Sequence, residues 1–145
     1  MKWNNFPIPE AHLVGLVTGT ILQIFIPQRL FQLTWAGFAV GLPLFLFGIG
    51  TCMWSVIEAK EVNIASPNRL LKSGPYALSR NPMYFGWTFI YIGLSFVINT
   101  VWIIAFLPIV VSYIHFVEIR KEEQILEGQF GDEYRQYRKH VRRYI

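Results

Sequence analysis

Charged residues are scarce in this 145-residue chain. Only 15% of its residues are charged while 53% are hydrophobic, whereas a soluble domain carries about 25% charge. No charged residue lies between Glu10 and Arg29, between Arg29 and Glu58, or between Arg80 and Glu118. Because a membrane span needs roughly 20 apolar residues, these gaps fit one, one and two spans. The pattern predicts an all-α integral membrane protein with four transmembrane helices.

Cysteine is almost absent too. Cys52 is the only one, so no disulfide framework is possible. His12, His115 and His140 are scattered, with no cysteine or carboxylate at metal-ligand spacing, and we predict no metal site. The net charge of +4 would suit nucleic acid, but the basic residues lie beside the predicted spans. We therefore expect membrane lipids, not nucleic acid, as their partners.

The spans are predicted at about 11–26, 31–57, 82–98 and 101–117, within a single domain covering 1–145. Residues 58–80 form a polar connector and residues 118–145 a polar tail. With four spans, both termini, the connector and every basic residue except Arg29 share one side of the membrane. The positive-inside rule places that side in the cytoplasm. We expect a multi-pass membrane protein whose N- and C-termini are cytoplasmic.

The tail is predicted to contain two helices divided at Gly128 and Gly131. Glu118–Glu127 continues the fourth span as a polar helix, and Asp132 is expected to be the N-cap of the last helix. In that last helix, basic residues alternate with apolar and aromatic residues at helical spacing: Tyr134, Tyr137, Val141 and Tyr144. The pattern predicts an amphipathic helix lying in the headgroup region.

A polar turn, Gly74–Tyr84, separates two hydrophobic blocks. Polar groups at the edge of a hydrocarbon layer must be paired, solvated or functional. Asn81 and Pro82 are typical of a capped helix start, and a helix N-terminus beside Arg80 can bind a carboxylate or phosphate. Glu122-Glu123 leaves the membrane on the same side. We therefore expect the chemistry of the protein at this edge.

A glycine pair, Gly48-Ile49-Gly50, lies deep in the second span. It favours close helix packing over ligand contact. No strand precedes it, so a Rossmann phosphate loop is excluded.

Taken in order, the polar motifs resemble those of the isoprenylcysteine carboxyl methyltransferase family and the related phospholipid N-methyltransferases. The resemblance covers roughly Ser66–Arg143. The motifs that carry it are Gly74-Pro75-Tyr76, Arg80-Asn81-Pro82-Met83-Tyr84 with Gly86, Glu122-Glu123 with Leu126, and Phe130-Gly131-Asp132-Glu133-Tyr134 with Tyr137.

The resemblance implies S-adenosylmethionine as the methyl donor, with S-adenosylhomocysteine as the product, bound at the cytoplasmic membrane edge. By position, the residues that contact the donor or shape its pocket would be Tyr76, Arg80, Asn81, Pro82, Tyr84, Glu122 and Glu123. Of these, Arg80, Glu122 and Glu123 are the predicted catalytic residues. Asparagine stands at position 81, where the prenylcysteine enzymes usually have histidine, and it cannot titrate near neutrality.

Three functions are compatible with these residues. The first is methyl transfer to a lipophilic small molecule or a lipidated substrate, in which the protein aligns the reactants and excludes water. A carboxylate acceptor needs no base, and the sequence offers no clear base, which favours carboxyl O-methylation. The alternatives are N-methylation of a phospholipid amine and a non-enzymatic role in lipid binding or scaffolding. In the last case Arg80, Asn81 and Glu122 would only cap and neutralise helix ends.

Overall fold

The computed structural model describes residues 9–60, 62 and 67–144. This part of the chain is helical and contains no strand. The helices are α1 (Glu10–Phe25), α2 (Thr34–Glu58), α3 (Pro82–Val97), α4 (Val101–Tyr113), α5 (Ile119–Phe130) and α6 (Asp132–His140). Lys2, which belongs to the basic residues counted for the orientation, lies outside the described residues, as does Ser66, where the resemblance begins.

The four predicted spans correspond to α1, α2, α3 and α4, within a few residues at each end. Within the described residues, two helices are long and apolar enough to cross a membrane: α2, with 25 residues, and the continuous helix Val101–Phe130, with 30. The apolar helices α1 and α3 have 16 residues each. At 1.5 Å per residue each rises about 24 Å, short of the roughly 30 Å hydrocarbon core. That all four helices cross the membrane therefore stays a prediction.

Helices α2 and α3 form the most extensive contact between any two helices of the described chain. Glycine residues allow their backbones to approach this closely. A Cβ atom on Gly48 would lie 2.6 Å from the carbonyl oxygen of Gly86, and one on Gly93 would lie 2.5 Å from the Phe45 nitrogen. The prediction of close packing is confirmed at Gly48. Gly50 has nothing within 4 Å of its Cβ position, so only one glycine of that pair is used in packing.

Helix α1 packs on α4 and α3, and it completes the bundle. The buried core contains Tyr91, Ile103 and Val110. Large apolar side chains on the outer faces are exposed, such as Phe25 at 77% and Trp35 at 67%. Exposed apolar surface on this scale is typical of a protein that contacts a membrane or another apolar partner.

Helix α4 continues into the polar helix α5, as predicted, but through a π-helical turn at Ile114–Glu118 that the sequence did not indicate. Such a turn inserts one extra residue into a helix and often marks a functional site. Helix α5 runs through Gly128 and ends at Phe130. It brings Glu122 and Glu123 towards the start of α3.

The last helix differs from its prediction at both ends. Gly131, with φ +50°, precedes it, and Asp132 is its first residue instead of its N-cap. The helix ends at His140, and Val141 is extended, with φ −117° and ψ 129°. Val141 and Tyr144 therefore lie outside the helix. Beyond the helix, the carbonyl oxygens of Arg142 and Arg143 accept hydrogen bonds from Arg80 and Asn81.

Candidate active site

The polar turn before α3 is held against the end of α2. Gly74 adopts φ +58°, and a Cβ atom there would lie 2.8 Å from a carboxylate oxygen of Glu58. The Ser73 hydroxyl donates to the same carboxylate. A short 3₁₀ helix, Gly74–Ala77, follows and leads the chain to Pro82, at the start of α3. Glycine is favoured here because its φ of +58° lies in the left-handed region, which residues with a side chain rarely adopt.

A cavity of about 160 Å³ lies between this turn, the start of α3, α5 and α6. The structure brings together on its wall all seven residues predicted for the donor site: Tyr76, Arg80, Asn81, Pro82, Tyr84, Glu122 and Glu123. They come from segments about forty residues apart in the chain. Their roles in binding and catalysis stay predictions.

Arg80 lies in the wall of the cavity, with its side chain 11% exposed. Its Nη1 donates to Glu123 Oε1 at 2.9 Å and to the Tyr134 hydroxyl at 3.2 Å. Its Nε is buried and has no hydrogen-bond partner among residues 9–60, 62 and 67–144. A buried donor without a partner costs about 1–3 kcal/mol, so an acceptor in the cavity would stabilise it.

Glu123 is held by two guanidinium groups. Besides Arg80, Arg143 donates from Nε to Oε1 at 3.0 Å and from Nη2 to Oε2 at 2.6 Å. Burial by itself would raise the pKa of Glu123, but the hydrogen bonds from Arg143 and the charges of Arg80 and Arg143 outweigh it and lower that pKa. Glu123 is therefore an ionised carboxylate with a fixed orientation.

Glu122, the adjacent residue, has the opposite electrostatic environment. The Tyr84 hydroxyl donates to its Oε1 at 2.7 Å. Burial raises the pKa of Glu122, the hydrogen bond from Tyr84 opposes that rise, and the charges of Glu118 and Glu123 add to it. Neighbouring carboxyl groups whose pKa values are moved apart are typical of an acid–base site. Glu122 can therefore accept a proton at a higher pH than an exposed carboxylate.

Asn81 does not cap α3 with its side chain, contrary to the prediction. Its Nδ2 donates instead to the carbonyl oxygen of Arg143 at 3.0 Å, and the Ser79 hydroxyl donates to the same oxygen at 3.2 Å. Pro82 occupies the first turn of the helix, as predicted. The side chain of Asn81 is thus used to hold the C-terminal segment.

Helix α6 is amphipathic, as predicted, but its aromatic residues face the site and not the lipid headgroups, contrary to the predicted placement. Tyr134 is 1% and Tyr137 7% exposed. The Tyr137 hydroxyl donates to the carbonyl oxygen of Tyr76 at 2.6 Å. The three-residue spacing of Tyr134 and Tyr137 placed them on one face, but the sequence did not show what that face covers.

Tyr76 completes the wall on the connector side. Burial, together with the charges of Glu122 and Glu58, raises the pKa of Tyr76 to about 12. Its phenol therefore stays protonated at neutral pH and can donate a hydrogen bond.

The site thus contains a fixed anion at Glu123, a proton acceptor at Glu122 and an unpartnered buried donor at Arg80. Compared with known proteins, the chain matches a family model described as phospholipid methyltransferase over residues 36–133, about two thirds of its length. No curated protein and no solved structure matches it. The matched range includes all seven predicted site residues and ends before Arg143.

Proposed function

Because this chain belongs to the phospholipid methyltransferase family, we propose that it transfers the methyl group of S-adenosylmethionine to a lipophilic acceptor at the membrane edge. The observation that carries the proposal is the cavity that gathers the seven polar and aromatic residues at the ends of apolar helices. Such concave sites with a few convergent polar groups are where small ligands bind.

The residues present fit the donor. Arg80, with its unpartnered Nε, would bind the carboxylate of S-adenosylmethionine. Glu123 accepts three hydrogen bonds, and since a carboxylate accepts about four, it keeps one position, on Oε2, for a hydroxyl or ammonium group of the donor. When bound, the donor supplies a methyl group whose bond to the sulfonium breaks as the acceptor attacks, and S-adenosylhomocysteine is left. The protein's contribution is alignment and the exclusion of water.

An amine is the acceptor that the geometry of the site supports best. An ammonium group must lose its proton before its nitrogen can attack the methyl carbon. Carboxyl O-methylation was favoured by the sequence because no base was evident there. Glu122, half-buried on the cavity wall with a raised pKa, would serve as such a base. In the proposed reaction Glu122 takes the proton from nitrogen while Tyr84 holds its carboxylate in place.

Carboxyl O-methylation is the second candidate, and one observation favours it. The unpartnered Nε of Arg80 could orient the acceptor's carboxylate instead of the donor's. This reaction would leave Glu122 without a proton to accept.

The lipophilic part of the acceptor has an apolar groove available between α2 and α3. The groove measures about 320 Å³ and is lined by Phe45, Ile49, Cys52, Met53, Trp87 and Ile90. The Cys52 thiol contacts the carbonyl oxygen of Met83 at 3.7 Å, and Met83 also lines the polar cavity. An acyl or prenyl chain in the groove would therefore end beside the polar groups.

The experiment that tests the function uses protein reconstituted in lipid vesicles with S-adenosylmethionine carrying a tritiated methyl group. Label should enter the lipid fraction. Methyl esters release tritiated methanol in alkali, whereas N-methyl groups resist it, so alkali distinguishes the two acceptors. Glu122→Gln should lower transfer to an amine by about 10²- to 10⁴-fold, the usual contribution of a general base.

The matched control is Glu127→Gln, on the same helix. Glu127 is paired with Arg135 and Arg138 and does not line the cavity. The Glu127→Gln variant should transfer methyl groups at the wild-type rate. Failure of the wild type to bind the donor would refute the proposed function. Transfer by Glu122→Gln at the wild-type rate would refute the base.

Four crossing helices with cytoplasmic termini are part of the same proposal, supported by the one-sided distribution of basic residues. The test replaces Cys52 with serine and introduces either Gln28→Cys or Lys139→Cys. A membrane-impermeant maleimide applied to intact cells should label position 28 alone. Labelling of position 139 under those conditions would contradict the topology.

A further inference from the structure

The four residues Val141–Tyr144, the C-terminal strap, run back over the turn before α3. The Arg80 nitrogen donates to the carbonyl oxygen of Arg142 at 2.9 Å. The Asn81 side chain donates to the carbonyl oxygen of Arg143. These bonds join the strap to two residues of the cavity wall.

The Arg143 side chain joins the strap to the opposite wall. Its guanidinium forms the two-point ion pair with Glu123, and its Nη1 lies 2.9 Å from His115 Nε2. A guanidinium group is only a donor, so Nε2 of His115 must be the acceptor. Two parallel charge-assisted bonds fix the plane of a carboxylate, which a single bond does not.

His115 supports this arrangement from the π-helical turn. Because its Nε2 accepts from Arg143, its proton lies on Nδ1, which donates to the Tyr144 hydroxyl at 3.1 Å. The two rings are stacked, with centroids 5.7 Å apart and planes 24° from parallel. The π turn therefore places the imidazole where it can hold the strap at two points.

We propose that Arg143 is a positioning residue for methyl transfer, one that holds Glu123 and Asn81 in their binding geometry without lining the cavity itself. The inference rests on the proposed function. Arg143 lies ten residues beyond the end of the family match, so the strap completes a site whose other residues lie inside it. Without the Arg143 side chain, Glu123 would keep only the bond from Arg80 and could rotate. The Arg143 carbonyl oxygen that Asn81 binds would remain, but the side-chain anchor that fixes its position would be lost.

The test is the dissociation constant of S-adenosylmethionine, measured by calorimetry on the full chain in nanodiscs. Arg143→Gln should raise it about ten- to hundred-fold, as expected for the loss of a charged hydrogen-bonded pair. Arg143→Lys keeps the charge but not the two-point contact, and should give an intermediate value. Arg142→Gln is the matched control, because only the backbone of Arg142 binds the turn, and should stay within about twofold of wild type.

A double-mutant cycle separates positioning from a general loss of structure. If Arg143 acts through Glu123, adding Arg143→Gln to Glu123→Gln should raise the dissociation constant by less than about twofold. If Arg143→Gln raises the dissociation constant by the same factor with and without Glu123→Gln, the inference is overturned.

Failure of the proposed function and failure of the positioning role give different results. A wild type that does not bind the donor would refute the proposed function, and the inference with it. A wild type that binds the donor, with Arg143→Gln binding equally well, would refute the positioning role alone. If Arg143→Gln does not fold, His115→Phe serves in its place, because it removes the Nε2 acceptor and keeps a ring against Tyr144. It should weaken binding about three- to tenfold, and an unchanged constant would also refute the role.

Discussion

The hydrogen bond from Tyr84 to Glu122 should set the pH at which methyl transfer begins. This bond favours the ionised carboxylate, so its loss in Tyr84→Phe raises the pKa of Glu122 beyond the rise that burial already causes. A hydrogen bond to a charged group is worth about 1.5–3 kcal/mol, and 1.36 kcal/mol corresponds to one pKa unit. The acidic limb of the pH–rate profile should therefore move up by about one to two pH units.

The assay is the initial rate of tritiated methyl transfer from pH 5 to pH 9 at saturating donor. The base must be ionised, so the variant should be slower on the acidic side and approach the wild-type rate as the pH rises. Tyr113→Phe is the control, because Tyr113 is exposed on α4, and its profile should match wild type. If the acidic limb of the Tyr84→Phe pH–rate profile does not move, or moves to lower pH, Glu122 is not the base.

Two further predictions follow from the same contacts. Glu118→Gln removes a negative charge that raises the pKa of Glu122, so its acidic limb should move to lower pH by less than about one unit; an upward shift would contradict this. Gly48→Ala would place a Cβ atom 2.6 Å from the Gly86 carbonyl oxygen and should destabilise the α2–α3 contact by about 1–3 kcal/mol in detergent unfolding, whereas Gly50→Ala should be neutral or slightly stabilising. Equal unfolding free energies for the two variants would refute the packing argument.

The helices could be predicted because the spacing of charges is a local property of the chain. A long uncharged stretch has few alternatives to an apolar helix, and the bounds of α2 and α3 follow within three residues. That Arg80 and Glu122-Glu123 would lie around one cavity was also predictable, from a family resemblance whose motifs occur in this order; their roles stay predictions. The π turn was not, because no residue in Ile114–Glu118 requires it.

What the sequence alone determined is therefore an all-helical chain of apolar helices whose polar site residues were expected to lie together. Only the tertiary structure decided which electrostatic environment each of these residues has. Glu122 and Glu123 are identical and adjacent, yet one meets Tyr84 and the other Arg80 and Arg143, so their pKa values move in opposite directions. The physical reason is that a carboxylate's proton affinity depends on its burial and on charges a few ångströms away. Those neighbours come from distant segments, and the fold alone brings them together.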